Sequence, residues 1–279
     1  MNAIYKSEAG ASEIRRRYRE ALHAWPVPSE QVRVPTGEGE TFVVASGPKG
    51  APPLLLLHGS GANTTAWWDD VASWSRHFRT YAIDLIGEPG LSASARPPLD
   101  SDAHARWLDE VLEGLGIASA SVVGVSLGGW VALDYAIRRP ERVTRLALLC
   151  PGGLGRQKMG VLVKALLLSP FGRWGARRSI RAVVGLEGPE AEPVIDHVVL
   201  TFKHFRPRTE RLPAFPDEAL RRLAAPVLVT VGGRDAMFDS AATARRVREC
   251  VPHARVNVLP EVGHAIFGRT EPILAFLRG

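Results

Sequence analysis

The feature that most constrains this chain is an alternation of short β-favouring runs with helical stretches. "TFVVAS" from Thr41, "LLLLHG" from Leu54, "YAIDL" from Tyr81, "SVVGVS" from Ser121, "RLALLC" from Arg145, "PVLVTVGG" from Pro226 and "RVNVLP" from Arg255 are each bounded by glycine, proline or polar residues. Helical patterns near Asp100–Leu115, Leu127–Arg138 and Ser240–Cys250 separate most of them. Parallel strands need a crossover, usually a helix, and strands this continuously apolar suit burial on both faces. The chain therefore predicts an α/β fold, a mostly parallel sheet with helices on both faces.

Two stretches stand outside that rhythm. Residues Ala9 to Leu22 carry apolar and charged side chains at helical spacing until Pro26 and Pro28 stop the pattern, which predicts an amphipathic helix lying on the body. Between Cys150 and Pro226 the pattern turns helical and proline-punctuated, too long for a plain connection. We expect an N-terminal helical segment over 1–30, a core formed by 31–151 and 223–279, and a helical cap (lid) over 152–222. At 279 residues the chain suits one large domain carrying such an insertion. Apolar stretches of the cap, "VLVKALLL", "VIDHVVL", Phe171, Trp174, Phe202 and Phe205, could line an apolar pocket or pack the core.

Apolar residues make up 46% and charged residues 23%, which excludes a mostly disordered chain. The net charge is +6, and from Pro151 to Arg181 there is no acidic residue beside Arg156, Lys158, Lys164, Arg173, Arg177, Arg178 and Arg181. A solvated basic face is the plain reading; attraction for an anionic lipid or substrate is the other. No nucleic-acid module is present, and no apolar stretch is long enough to span a bilayer. Two cysteines, Cys150 and Cys250, lack a metal-type or redox-type spacing, and the N-terminus lacks the apolar run of a signal peptide. The expected location is cytoplasmic.

"VVGVSLGGW", Val122 to Trp130, carries the chemistry. A strand that turns sharply into a helix forces the turning residue into an unfavourable conformation, and side chains two positions either side would collide. Gly124 and Gly128 flank Ser126 at that spacing, with a strand before and a helix after. Such a turn lifts the serine hydroxyl clear of the sheet at the positive end of the helix, where the Leu127 amide can donate to an oxyanion. Trp130 is read as packing.

A neutral serine needs a base, itself oriented by a carboxylate. Of eight histidines, His264 in "PEVGHAIF" follows the last predicted strand, at the strand ends where crevice residues gather. His253 precedes that strand, and His23, His77, His104, His197 and His204 sit on helices or in the insertion, so they are assigned to packing or the surface. The carboxylate is Asp235, just past Gly232 and Gly233, with Asp239 as its rival. A second oxyanion donor is expected from Ser60 in the glycine-rich turn His58-Gly59-Ser60-Gly61, whose histidine holds the turn. Asp84 is read as a loop-fixing carboxylate and Glu88 as a pocket-rim residue of no assigned role.

Together these residues resemble the α/β-hydrolase superfamily from about Gln31 to the C-terminus. "HGSGANTTAWW", "DLIGEPGLS", "GVSLGGW", "GGRDAMFD" and "VGHAIF" look like bacterial carboxylesterases of that superfamily. The order Ser126, Asp235, His264 is that of the superfamily. The resemblance implies an eight-stranded, mostly parallel sheet, a cap inserted after the sixth strand, and a serine carboxylesterase. In it Ser126 would be nucleophile, His264 base and Asp235 acid, with the Ser60 and Leu127 amides as oxyanion hole. It implies a small-molecule ester substrate and no metal or organic cofactor. The chain departs where relatives carry glycine-aromatic-glycine or glycine-histidine-glycine and this sequence has Gly87-Glu88-Pro89-Gly90. A serine nucleophile argues against dehalogenases and epoxide hydrolases. It leaves open carbon-carbon bond hydrolases, lactonases and perhydrolases, and a non-catalytic small-molecule receptor on the same scaffold.

Overall fold

The computed structural model describes residues 4–158, 160, 168–185, 188–189 and 191–279. Eight strands form one sheet: β1 (Ser29–Val34), β2 (Thr41–Ser46), β3 (Pro53–Leu57), β4 (Arg79–Ile83), β5 (Ala120–Val125), β6 (Val143–Leu149), β7 (Val227–Gly232) and β8 (Arg255–Leu259). They lie in the order β1-β2-β4-β3-β5-β6-β7-β8. The pairs β1–β2 and β2–β4 are antiparallel and all others parallel, so the sheet is mostly parallel as expected.

The apolar strands read as continuous because both faces are covered. Leu55 and Leu57 of β3 point into one core, with side chains of α3 (Ala103–Gly114), α4 (Leu127–Arg138) and α8 (Ser240–Cys250). Leu54 and Leu56 point into the other, with α1 (Glu8–His23), α2 (Trp68–Trp74) and α9 (Thr270–Arg278). All four leucines are wholly buried, each a gain of roughly 1.5–3 kcal/mol.

The strand β1 was not read from the sequence, and the expected boundary at residue 30 cuts into it. Its residues, SEQVRV, are exposed or half-buried except Val34, so this edge strand lacks the apolar signal on which the other seven were recognised. Helix α1 matches its expected span. Ser7 caps it by accepting from the Gly10 amide at 3.1 Å, and Ala11, Ile14, Tyr18 and Leu22 form its buried stripe.

Between β6 and β7 lie α5 (Gly172–Val184), α6 (Ala191–His204) and the short α7 (Asp217–Leu220). The acid-free run is partly neutralised by α6: Arg177 pairs with Glu192 and Asp196, and Arg181 with Glu192. Lys164 and most of "VLVKALLL" lie outside the described residues. The aromatics of the segment between β6 and β7 divide. Phe205 is buried with Ile4, Tyr5, Ala11 and Ile14 of the N-terminal segment, whereas Phe171 and Trp174 are exposed. The N-terminal segment is stitched to this insertion by Lys6 N–H to His204 O at 2.7 Å and Arg206 N–H to Ile4 O at 2.9 Å.

Candidate active site

The site lies where β5 turns into α4. Ser126 adopts φ 53° and ψ −108°, a conformation costly for any residue with a side chain. The flanking glycines make the turn possible: a Cβ on Gly124 would lie 2.5 Å from Gly128 O, and one on Gly128 would lie 2.1 Å from Leu57 O and 2.4 Å from His58 O. Backbone bonds brace the strained residue, Ser126 N–H donating to Leu149 O at 2.9 Å and Gly152 N–H to Ser126 O at 3.2 Å.

A second close approach positions the histidine. The loop after β8 runs over the end of β7, with Gly233 N–H donating to Leu259 O and Arg234 N–H to Val262 O. A Cβ on Gly232 would lie 2.0 Å from Gly263 O, and one on Gly233 would lie 2.7 Å from Pro260 O. Only paired glycines let the two backbones meet so closely. The consequence is that His264 bridges the other two candidates: its Nδ1 lies 2.9 Å from Asp235 Oδ2 and its Nε2 3.0 Å from Ser126 Oγ. A carboxylate has no proton to give, so Nδ1–H donates to Asp235 and Nε2 accepts from the serine hydroxyl.

Asp235 is buried, and its other oxygen, Oδ1, accepts from the amides of Met237 at 2.7 Å and Phe238 at 3.0 Å. Burial alone would raise this carboxyl. The hydrogen bond and charge of His264, with the two amides, outweigh it and hold the group below its ordinary value. The rival Asp239 is occupied elsewhere, capping α8 through Oδ1 to the Ala242 amide at 3.0 Å. Of the other histidines, His104 packs edge-on against Trp130 and His253 bonds Ala225 O at the surface. Trp130 itself is buried, stacked on Phe215 and donating to Pro213 O at 2.9 Å.

Leu127 and the turn that carries Ser60 lie beside Ser126. Leu127 opens α4, so its amide has no acceptor within the helix and sits at the positive end of the helix dipole. A Cβ on Gly59 would lie 3.5 Å from Ser126 Cβ, which brings the His58–Gly61 turn against Ser126. His58 anchors that turn: Nδ1–H donates to Gly59 O at 2.8 Å and Nε2 accepts from the Leu85 amide at 3.0 Å. Burial pushes its imidazole down to about 4, only partly offset by the Gly59 bond, so the ring is neutral.

Asp84 fixes loops. It accepts from Tyr18 O–H at 2.9 Å and the Thr64 amide at 2.9 Å through Oδ1, and from the Leu91 amide at 2.7 Å through Oδ2. Burial raises its carboxyl to about 6 despite those bonds. Glu88 is not at an exposed rim. It is buried, and its Oε2 accepts from the Gly61 amide at 2.6 Å and Ser60 O–H at 3.1 Å. Burial raises it to about 7, against the lowering effect of those bonds and of Arg96 and Arg208.

Sequence reasoning missed two neighbours of Asp235 and His264. Cys150, at φ 42°, presents a sulfur that lies with Asp235 and His264 ligand atoms within 4.8 Å of one another; burial and the Asp235 charge keep its thiol protonated. Phe238 sets its ring 5.4 Å from that of His264 and borders a cavity of about 410 Å³ with Gly153, Gln157 and Leu212. Both contacts join residues far apart in the chain, and no local pattern encodes them.

A serine, imidazole and carboxylate in line at the strand ends of a mostly parallel sheet define an α/β protein of hydrolase type. A model of the alpha/beta hydrolase family matches residues 54–276, and the chain belongs to that family. It is 30% identical over 258 residues to the carboxylesterase YbfK of Bacillus subtilis (strain 168), covering 89% of this chain and 86% of the relative. It is 30% identical over 263 residues to the uncharacterized carboxylesterase nap of the same organism, covering 89% and 85%. Among solved structures, carboxylesterase CesB (YbfK) of Bacillus subtilis superposes with a TM-score of 0.82 at 28% identity, over 97% of this chain and 96% of that one. The naproxen esterase (carboxylesterase NP) of Bacillus subtilis superposes with a TM-score of 0.80 at 29% identity, over 98% and 97%.

Proposed function

We propose that the protein is a serine carboxylesterase that cleaves small, apolar esters through an acyl-enzyme intermediate. The observation that carries this reading is the unbroken hydrogen-bonded line from Asp235 through His264 to Ser126. Ser126 Oγ attacks the ester carbonyl carbon as His264 Nε2 takes its proton, and the tetrahedral oxyanion rests on the amides of Ser60 and Leu127. Collapse expels the alcohol, protonated by His264, and a water then repeats the cycle on the acyl-serine. Asp235 keeps Nδ1 protonated and stabilises the imidazolium. The carboxylesterase names of the two Bacillus relatives support the choice of esters.

The segment 152–222 acts as a cap inserted in a core of 31–151 and 223–279. Two contacts support this: Ala265 N–H donates to Val184 O at 3.2 Å, and a Cβ on Gly61 would lie 2.7 Å from the Phe202 ring. The cap thus touches both the histidine loop and the Ser60 turn, where it can shape the acyl and alcohol sites. No helix among the described residues is long and apolar enough to cross a membrane. Two free, buried cysteines support a cytoplasmic location.

The test is turnover of p-nitrophenyl esters of graded acyl length by wild type and Ser126→Ala, beside a vinylogous diketone. Esters should be preferred, and the variant should lose roughly a thousandfold or more. Faster cleavage of the diketone would make the protein a carbon-carbon bond hydrolase. Failure of an organophosphonate to modify folded wild type would favour a receptor.

A further inference from the structure

We propose that Glu88 is a positioning residue for acyl transfer, its carboxylate pinning the His58–Gly61 turn so that the Ser60 amide faces the carbonyl oxygen of a substrate at Ser126. This rests on the esterase reading above. One oxygen, Oε2, takes both the Gly61 amide at 2.6 Å and the Ser60 hydroxyl at 3.1 Å. These two donors bracket the Ser60 amide, one on its own side chain and one on the next peptide. The turn has little side chain of its own to hold it, since Gly59 and Gly61 flank Ser60 and Gly61 sits at φ 74°. His58 fixes its start through Gly59 O. Glu88 fixes its end.

The carboxylate is in turn rigidly placed. Gly87, at φ 74°, is packed so that a Cβ would lie 2.6 Å from Ala95 O, its carbonyl accepts from Arg96, and Pro89 follows with its own φ restricted. The charged groups facing Glu88 are Arg96 from the loop after β4 and Arg208 from the segment after α6. Among the described residues neither makes a direct hydrogen bond to it, and Oε1 is buried with no partner. The carboxyl's hydrogen bonding is therefore committed to the turn. The Oε2 oxygen can accept from both donors whether or not the carboxyl carries its proton, and an oxyanion donor must be in place before charge develops. The Gly87-Glu88-Pro89-Gly90 departure from the family pattern thereby acquires a role.

The experiment measures kcat, KM, the rate of organophosphonate labelling at Ser126 and Tm for wild type, Glu88→Ala, Glu88→Asp, Glu88→Gln and Ser60→Ala. We expect Glu88→Ala to lower kcat by about 10- to 100-fold, less than full loss of an oxyanion donor, with KM changed less than about threefold and labelling slowed in parallel. Gln, whose amide oxygen still accepts from Gly61, should restore kcat to within about fivefold, and Ser60→Ala, which loses one of the two bonds, should fall between. If Glu88→Ala does not fold, the contrast between Asp, too short to reach, and Gln decides the matter. Wild-type kcat in Glu88→Ala, or equal kcat in the Asp and Gln variants, overturns the proposal while leaving an active esterase. Wild type that neither hydrolyses esters nor labels overturns the esterase reading and this proposal together.

Discussion

Gly128 packs so tightly on Leu57 that a Cβ at the glycine would stand 2.1 Å from the leucine's carbonyl oxygen. The elbow is therefore built by contact between α4 and the end of β3, as well as by the local turn. Gly128→Ala must push the Leu57–His58 backbone away, and that backbone leads directly into the Ser60 turn. The expected result is a destabilisation of about 1–3 kcal/mol from overpacking, with kcat/KM of the folded enzyme falling by at least about tenfold. Thermal melting and active-site titration check both. A variant with wild-type Tm and turnover would mean that β3 yields without disturbing the site.

Asp235 and Asp239, four residues apart, are expected to separate chemistry from stability. Asp235→Asn keeps the volume but removes the acceptor that fixes the His264 tautomer, and kcat should fall by about 10⁴-fold. Asp239→Ala removes the cap on α8 and should lower stability by about 1 kcal/mol while leaving kcat within about twofold. Steady-state kinetics and chemical denaturation of the two variants distinguish the roles. Equal loss of kcat in both would undo the assignment.

What the sequence made legible, and what it hid, follows from the range over which each signal acts. Most strands announced themselves because their residues are apolar on both faces, as at Leu54–Leu57, and the largely exposed β8 did so through its alternating Val256 and Val258. The edge strand β1 did not, since SEQVRV is mostly solvent-facing. Ser126 stood out because a tight turn imposes local glycine spacing. Gly232 and Gly233 reflect a backbone contact with the loop after β8, and it is visible only once β7 and β8 are side by side.

Glu88 was invisible as more than a rim residue for the same reason. Its partners Ser60 and Gly61 lie 28 and 27 residues away, and nothing in "IGEPG" says that its side chain turns inward. The acid-free stretch was misleading in the opposite sense: the carboxylates that pair with Arg177 and Arg181 come from the next helix.

Tyr18 ties α1 to the loops beside the site. Its hydroxyl donates to Asp84 Oδ1 at 2.9 Å and lies 2.6 Å from Thr64 Oγ1. Tyr18→Phe keeps the ring packed on Phe42 but leaves a buried carboxylate short of a donor, which should cost about 1–3 kcal/mol. Because Asp84 still holds the Thr64 and Leu91 amides, kcat should stay within about threefold. A melt and a kinetic assay on the same preparation test this; a large loss of kcat with unchanged Tm would make the helix part of the catalytic machinery.

Histidine 58 should make stability depend on pH in a defined direction. Burial holds its imidazole down to about 4 in the native protein, against 6.5 as the ordinary value. As pH falls through 6.5 the unfolded chain takes up a proton that the native state refuses until about 4, so the unfolded state binds more protons across that window. The contribution is whole above 6.5 and is lost progressively down to 4, a total of about 3 kcal/mol. Asp84 and Glu88, raised to about 6 and about 7, act in the opposite sense, keeping protons that the unfolded chain has released; their contribution is lost as pH rises through those values. These opposing slopes should flatten the wild-type profile, and removing one side should tilt it. In His58→Asn, the deficit in Tm relative to wild type should be largest above pH 7 and shrink steadily toward pH 4.5 (about one-half unit above the native titration). Differential scanning calorimetry across that range measures it, and a deficit that stays constant would show that the buried imidazole is not held neutral.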